Sequence, residues 1–147
     1  MTNPVISFFV PGLPRPGGSK RAFVPKGWTR AIVTDANPKA KDWKASVAHA
    51  AREAYKRPLL TTPLIVKVIF QMPRPKSHYG TGKNAGVLKD DAPYYHASKP
   101  DTLKLMRSTE DALTGILWRD DSANVVLHLS KVYNNQPGAA ISVEEAI

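Results

Sequence analysis

Three carboxylates have the chemistry of metal ligands: Asp101, and the adjacent pair Asp120 and Asp121. Asp101 opens an amphipathic stretch, and the pair falls in the polar turn Arg119-Asp120-Asp121-Ser122 that follows it. If folding brings that turn alongside Asp101, hard oxygen ligands from two segments can hold Mg2+ beside a phosphodiester. Such an ion polarises phosphate and lowers the pKa of a bound water, which supplies a nucleophile at neutral pH. Lys104 and Arg107, on the polar face of the same stretch, would neutralise charge developing on the phosphate. Asp111, one turn beyond Arg107, would support the site.

Each of these residues also has a structural reading. Asp101 suits a helix N-cap. Asp120-Asp121-Ser122 is ordinary turn composition. Asp111 can pair with Arg107 one turn earlier, which stabilises a helix by about 0.2–0.5 kcal/mol. Lys104 and Arg107 can simply be solvated. Spacing alone leaves both accounts standing. The remaining chemistry is thinner. His49, His78, His96 and His128 show no paired metal spacing, and only His96, just before Lys99-Pro100-Asp101, lies near the carboxylates. No serine sits in a nucleophile-elbow context. Gly82-Lys83 lacks the spacing of a phosphate-binding loop.

Composition narrows the partners. The chain has 147 residues, 42% hydrophobic and 22% charged, which suits one globular domain. It has no cysteine, so disulfides and thiolate chemistry are excluded. The longest apolar run, 63–72, contains Lys67 and Gln71 and is too short to span a bilayer. The N-terminus lacks a signal-peptide pattern, so a cytoplasmic location is expected. Net charge is +9. Residues 1–60 carry 11 basic against 3 acidic side chains, and residues 101–147 carry 4 against 7. A basic chain attracts polyanions, nucleic acid above all. Lys20, Arg21, Arg74, Lys76, Lys83 and Lys99 are the candidate phosphate contacts. An acidic cluster inside such a chain repels phosphate unless a cation intervenes.

The elements that must position these residues read as one small α/β (α+β) domain over 1–147, a sheet packed against two main helices. Val5 to Val10 is a strand ended by Pro11-Gly12. A Pro/Gly/basic loop follows, with extended segments after Lys20 and at 31–34. Asn37 and Pro38 are an N-cap and first position for a helix buried through Trp43, Val47, Ala50 and Ala54. Leu64 to Met72 is the strongest strand. Residues 73–99 read as a long basic loop or arm without periodicity. Pro100 to Leu113 is the second helix. Its buried arc holds Leu105, Met106, Thr109, Ala112, Leu113 and Ile116, with Lys104, Arg107, Ser108 and Asp111 opposite. Residues 124–133, offering Val126, Leu127, Leu129 and Val132 for burial, and residues 139–143 read as a closing hairpin.

The run His96-Ala-Ser-Lys-Pro-Asp101-Thr-Leu-Lys104-Leu-Met-Arg107, continued by Asp111-Ala-Leu-Thr-Gly115 and Trp118-Arg-Asp120-Asp121-Ser122, resembles the RusA family of Holliday junction resolvases. Many members are encoded by phages and prophages. The resemblance implies a homodimer that resolves four-way DNA junctions by paired symmetric nicks, with Mg2+ (or Mn2+) as cofactor. It puts the family's essential aspartates on Asp101 and Asp121, a helix aspartate on Asp111 and the basic site residue on Arg107. On this reading Asp101, Asp120 and Asp121 hold the metal. One departure stands out: where many relatives carry a second aspartate two residues after the first, this chain has Leu103. Glu110 lies two turns on, about 10 Å by helix rise, too far to replace it. The alternative is therefore a non-catalytic binder of branched DNA with a degenerate site. A third reading is a single-strand binder that stacks bases on Tyr79, Tyr94 and Tyr95.

Overall fold

The computed structural model describes residues 4–17, 20–35 and 39–146, with backbone alone for 20–23 and 32–35. Its frame is a four-stranded sheet with two helices packed on it. The strands are β1 (Ile6–Pro11), β4 (Leu64–Met72), β5 (Asn124–Tyr133) and β6 (Gly138–Glu145), in the order β1-β6-β4-β5. β2 (Lys20–Phe23) and β3 (Ile32–Asp35) pair separately as an antiparallel ribbon. The helices are α1 (Ala40–Ala54) and α2 (Thr102–Leu113). This is an α+β domain. Among the described residues no helix is long and apolar enough to cross a membrane.

β4 takes the centre because its residues suit no other place. Leu64, Val66, Val68 and Phe70 are fully buried on one face, beneath the helices. Pairing on both sides also satisfies every interior peptide group of so apolar a strand. That requirement overturns the expected closing hairpin. β5 pairs in parallel with one side of β4, and β6 pairs antiparallel with the other. The chain thus steps across β4 between them, with Asn134 N–H bonding Met72 O at 2.9 Å. β5 is left at the edge. The burial expected along it fails in part, since Val126 and Leu127 are exposed while Val132 is buried.

α1 buries Ala40, Trp43, Val47 and Ala51, with Tyr55 closing the stripe just past the helix. The stripe therefore runs through Ala51, with the expected Ala50 partly buried against the core and Ala54 exposed. The expected Asn37-Pro38 start lies outside the described residues. Trp43 Nε1 donates to the buried Thr109 Oγ1 at 3.1 Å, and Thr109 donates in turn to Leu105 O at 2.8 Å. That link sets the rotation of α2 against α1. Ser108, expected on the solvent face, is fully buried instead. Its Oγ donates to Arg15 O at 2.6 Å, because the segment after β1 crosses α2 there. Gly17 N–H bonds Lys104 O at 3.0 Å in the same crossing.

α2 ends where the sequence says it should. Gly115 adopts φ +90°, a conformation costly for any residue with a Cβ, and bonds Trp118 O at 2.7 Å. Trp118 and Leu117 are fully buried and draw the chain back toward the start of β5. The 73–99 segment is more built than expected. It contains two short 3-10 turns, and Tyr95 bridges Val132 on the outer edge of β5.

Candidate active site

The two ends of α2 carry two different arrangements of charge. At its C-terminal end, Asp111 faces Lys44 of α1, Nζ to Oδ2 3.5 Å. A single-turn 3-10 helix, Asp121–Ala123, brings Asp120 and Asp121 beside them, so that Lys44, Asp111, Thr114, Asp120 and Asp121 line one cleft. Asp120 Oδ1 accepts from Ser122 N–H at 2.9 Å, and that bond holds its carboxyl below the ordinary range. Asp121 is pushed the other way, by desolvation first and then by Asp120 and Asp111. Glu110 is likewise raised by burial, with Asp121 and Asp111 adding to it and a bond from Asn124 Nδ2 (2.8 Å) opposing. Negative charge therefore accumulates here.

At the N-terminal end, Asp101 occupies the N-cap position, yet its side chain makes no capping bond. The capping reading of Asp101 therefore fails, and its carboxylate is turned to solvent with Lys104 Nζ at 3.9 Å. The turn that presents it is held from β5. Lys131 Nζ donates to Ser98 O and to Pro100 O, the latter at 2.6 Å, while Lys131 O accepts from His96 N–H at 3.0 Å. Burial lowers the Lys131 pKa, and Asp101 partly restores it. Sequence reading missed Lys131. The available signal was its phase: it follows Leu127 and Leu129 at a two-residue period, on the face that looks toward the helices.

A single chain does not bring Asp101 to Asp120 and Asp121. Asp111 lies ten positions after Asp101 along α2, about 15 Å by helix rise. Among the described residues, no three His, Asp or Glu side chains close into a set able to hold an ion. The expected three-ligand cluster of Asp101, Asp120 and Asp121 is thus not formed among the described residues. Asp111 joins the pair, and its described ion pair is with Lys44. Arg107 and Leu103 are exposed on the α2 face beside β5.

Of the basic residues, Lys76, Lys83 and Lys99 are exposed. Lys20 lies on β2 with Arg21, where only the backbone is described. Arg74 is different. Its guanidinium donates to Pro93 O at 2.7 Å and lies 5.2 Å from the Tyr133 ring, so it fastens the loop to the sheet. His96 packs against Tyr133 and is lowered in pKa by burial and by Lys131, which favours the neutral ring. His49 and His128 are exposed.

A family model described as endodeoxyribonuclease RusA matches residues 13–144. The chain therefore belongs to the RusA family of endodeoxyribonucleases, whose activity is the resolution of Holliday junctions. It is also 28% identical over 145 residues to an uncharacterized protein, YqaN, of Bacillus subtilis (strain 168). That alignment covers 95% of this chain and 96% of the relative.

Proposed function

We propose that the chain works as a homodimeric, Mg2+-dependent nuclease that nicks opposing strands of a four-way DNA junction. The observation that carries the reading is the crowded carboxylate cleft at Asp111, Asp120 and Asp121 in a basic chain of the RusA family. The donor chemistry fits a hard cation: the cleft offers carboxylate oxygens, and Asp121 is raised partly by its acidic neighbours. The ligand count falls short in one protomer. Asp120 and Asp121 of one chain would therefore hold the ion together with Asp101 of a second copy. When bound, the ion would supply a polarised phosphate and an activated water.

The chain's own groups do the rest. Lys131 fixes the backbone on which Asp101 stands, and Lys104 or Arg107 offers positive charge to the phosphate being cut. The exposed Lys76, Lys83 and Lys99, with Lys20 and Arg21 on the ribbon, would position the junction through its phosphates without reading bases. A four-way junction is roughly two-fold symmetric, so a C2 dimer supplies the two sites that paired nicks need.

The test is cleavage of a synthetic four-way junction beside a linear duplex of the same sequence, with and without Mg2+. Metal-dependent paired nicks confined to the junction are expected. Asp101→Asn and Asp121→Asn should each lower cleavage by more than about 100-fold, beyond the 10–100-fold typical of groups behind the ligands, and keep junction binding. Full activity in both variants would sink the site. Tight junction binding with no nicking would favour the degenerate-site alternative. Equal competition by single-stranded DNA would favour stacking on the exposed Tyr94 and Tyr95.

A further inference from the structure

We propose that Lys44 of α1 is a catalytic residue of the cleft at Asp111, Asp120 and Asp121. Its ammonium is the counter-ion of Asp111 before a divalent cation enters, and afterwards meets the phosphate being cut. This rests on the nuclease reading above and adds to it a cation from a helix that the reading leaves without a role.

The cleft is framed by two buried indoles that grip α2 in the same way. Trp43 Nε1 donates to Thr109 Oγ1 at 3.1 Å, and Thr109 donates to Leu105 O. Trp118 Nε1 donates to Thr114 Oγ1 at 3.1 Å, and Thr114 donates to Glu110 O at 2.9 Å. Asp111 lies between the two threonines along the helix. The first relay fixes the rotation of α1, and so the position of Lys44, the residue after Trp43. The second fixes the turn that delivers Asp120 and Asp121 to the same cleft. A functional group presented by a packed helix holds its place better than one on a loop.

A purely structural ion pair accounts poorly for this lysine. The Lys44 side chain is 21% exposed, and its Nζ stands 3.5 Å from Asp111 Oδ2. Ion pairs near a surface add little to stability, and withdrawing one from water costs desolvation. The apolar stripe of α1 and the Trp43 bond already hold the two helices together. What surrounds the pair is surplus carboxylate, since Asp111, Asp120 and Asp121 line the cleft with it. Among the described residues lining that cleft, Lys44 is the basic one. Lys104 stands at the other end of α2, 3.9 Å from Asp101.

The two roles follow from charge. An uncompensated carboxylate cluster repels phosphate, so some cation must face the DNA. Lysine is a compact point charge with three donors on a flexible stem, suited to a phosphate oxygen. A cation already held where negative charge develops stabilises the transition state more than the ground state. Lys44 must release Asp111 to do this, and it does so when the carboxylate oxygens are engaged by a hard cation. Toward the metal, then, Lys44 is a competitor, and toward the reaction it is an aid. Opposite signs of this kind are not produced by a lysine that only ties two helices together.

The test reads both signs. Lys44→Met keeps most of the stem and removes the charge. It should lower the dissociation constant for Mn2+ alone, followed by electron paramagnetic resonance, at least about threefold, because one repelling charge is gone. Under single-turnover conditions at saturating metal it should slow junction nicking at least about tenfold. Lys44→Arg should return the Mn2+ constant to that of the parent and restore part of the nicking. Lys56→Met, at an exposed position beyond α1, should change neither. A Lys44→Met variant that nicks at the parental rate overturns the catalytic role and leaves the nuclease reading intact. One that binds Mn2+ more weakly, or melts early with altered circular dichroism, assigns Lys44 to structure and overturns the proposal. A parent that never nicks sinks the nuclease reading and the catalytic role together, while tighter Mn2+ binding by Lys44→Met would still uphold the counter-ion role.

Discussion

The two ends of α2 invert each other's electrostatics. At the N-terminal end a single carboxylate, Asp101, stands among cations, with Lys104 at 3.9 Å and Lys131 holding the turn beneath it. At the C-terminal end Glu110, Asp111, Asp120 and Asp121 outnumber Lys44, and two of the four are pushed up in pKa. One end is compensated and positioned by hydrogen bonds to backbone. The other holds excess negative charge that a divalent cation would relieve. Among the described residues neither end closes into a set of three ligands, and the two ends differ in the sign of the charge left uncompensated.

The difference between the two ends of α2 depends most heavily on Lys131. Lys131→Met removes both bonds to the Ser98 and Pro100 carbonyls and should lower junction cleavage by about 10–100-fold, the range seen when groups behind metal ligands are lost. Amide exchange at 96–101 should rise, exchange across α1 should not, and Lys131→Arg should restore part of the activity. Unchanged exchange and activity would mean that Asp101 needs no support from β5. A smaller effect belongs to the other end. Trp43→Phe deletes the bond to Thr109 that sets α1 against α2 and leaves a small void, costing about 1–3 kcal/mol in chemical denaturation. Lys44 and Asp111 should drift apart in that variant, with the Asp101 turn undisturbed.

The smallest effect is on pH dependence. A carboxyl whose pKa is raised in the folded state contributes most stability below its unfolded value, and loses that contribution as pH rises through the folded one. Asp121 and Glu110 therefore weaken the fold between the ordinary carboxylate range and neutrality. Asp121→Asn removes its own share and relieves Glu110, so its melting temperature should exceed that of the parent slightly at pH 7 and converge with it near pH 3. A variant less stable at pH 7 would show that the acidic cluster is not under strain.

Much of this was legible in the residues and some was not. β4 and the α2 stripe of Leu105, Met106, Thr109 and Leu113 follow from local patterning, which burial then obeys. Strand order does not follow from local patterning. Residues 124–133 and 138–145 look like hairpin partners, but the apolar β4 needs neighbours on both sides and separates them. Ser108 looked solvated because the chain that covers it comes from Arg15, 93 residues earlier. At the site, the carboxylates could be named from spacing and resemblance. Their division between two ends could also have been counted, since nine helical residues lie between Asp101 and Asp111.

The crossing of α2 by the segment after β1 has a mechanical consequence. Gly17 lies so close to the helix that a Cβ there would come within 2.9 Å of the Ser108 Cβ, and its N–H is bonded to Lys104 O. The β2–β3 ribbon begins only three residues later, at Lys20. Gly17 therefore pins the chain to α2 between the helix's two charged ends. Any larger residue at position 17 would press on the helix that carries the candidate site, and the glycine is the rivet that lets the two segments lie so close.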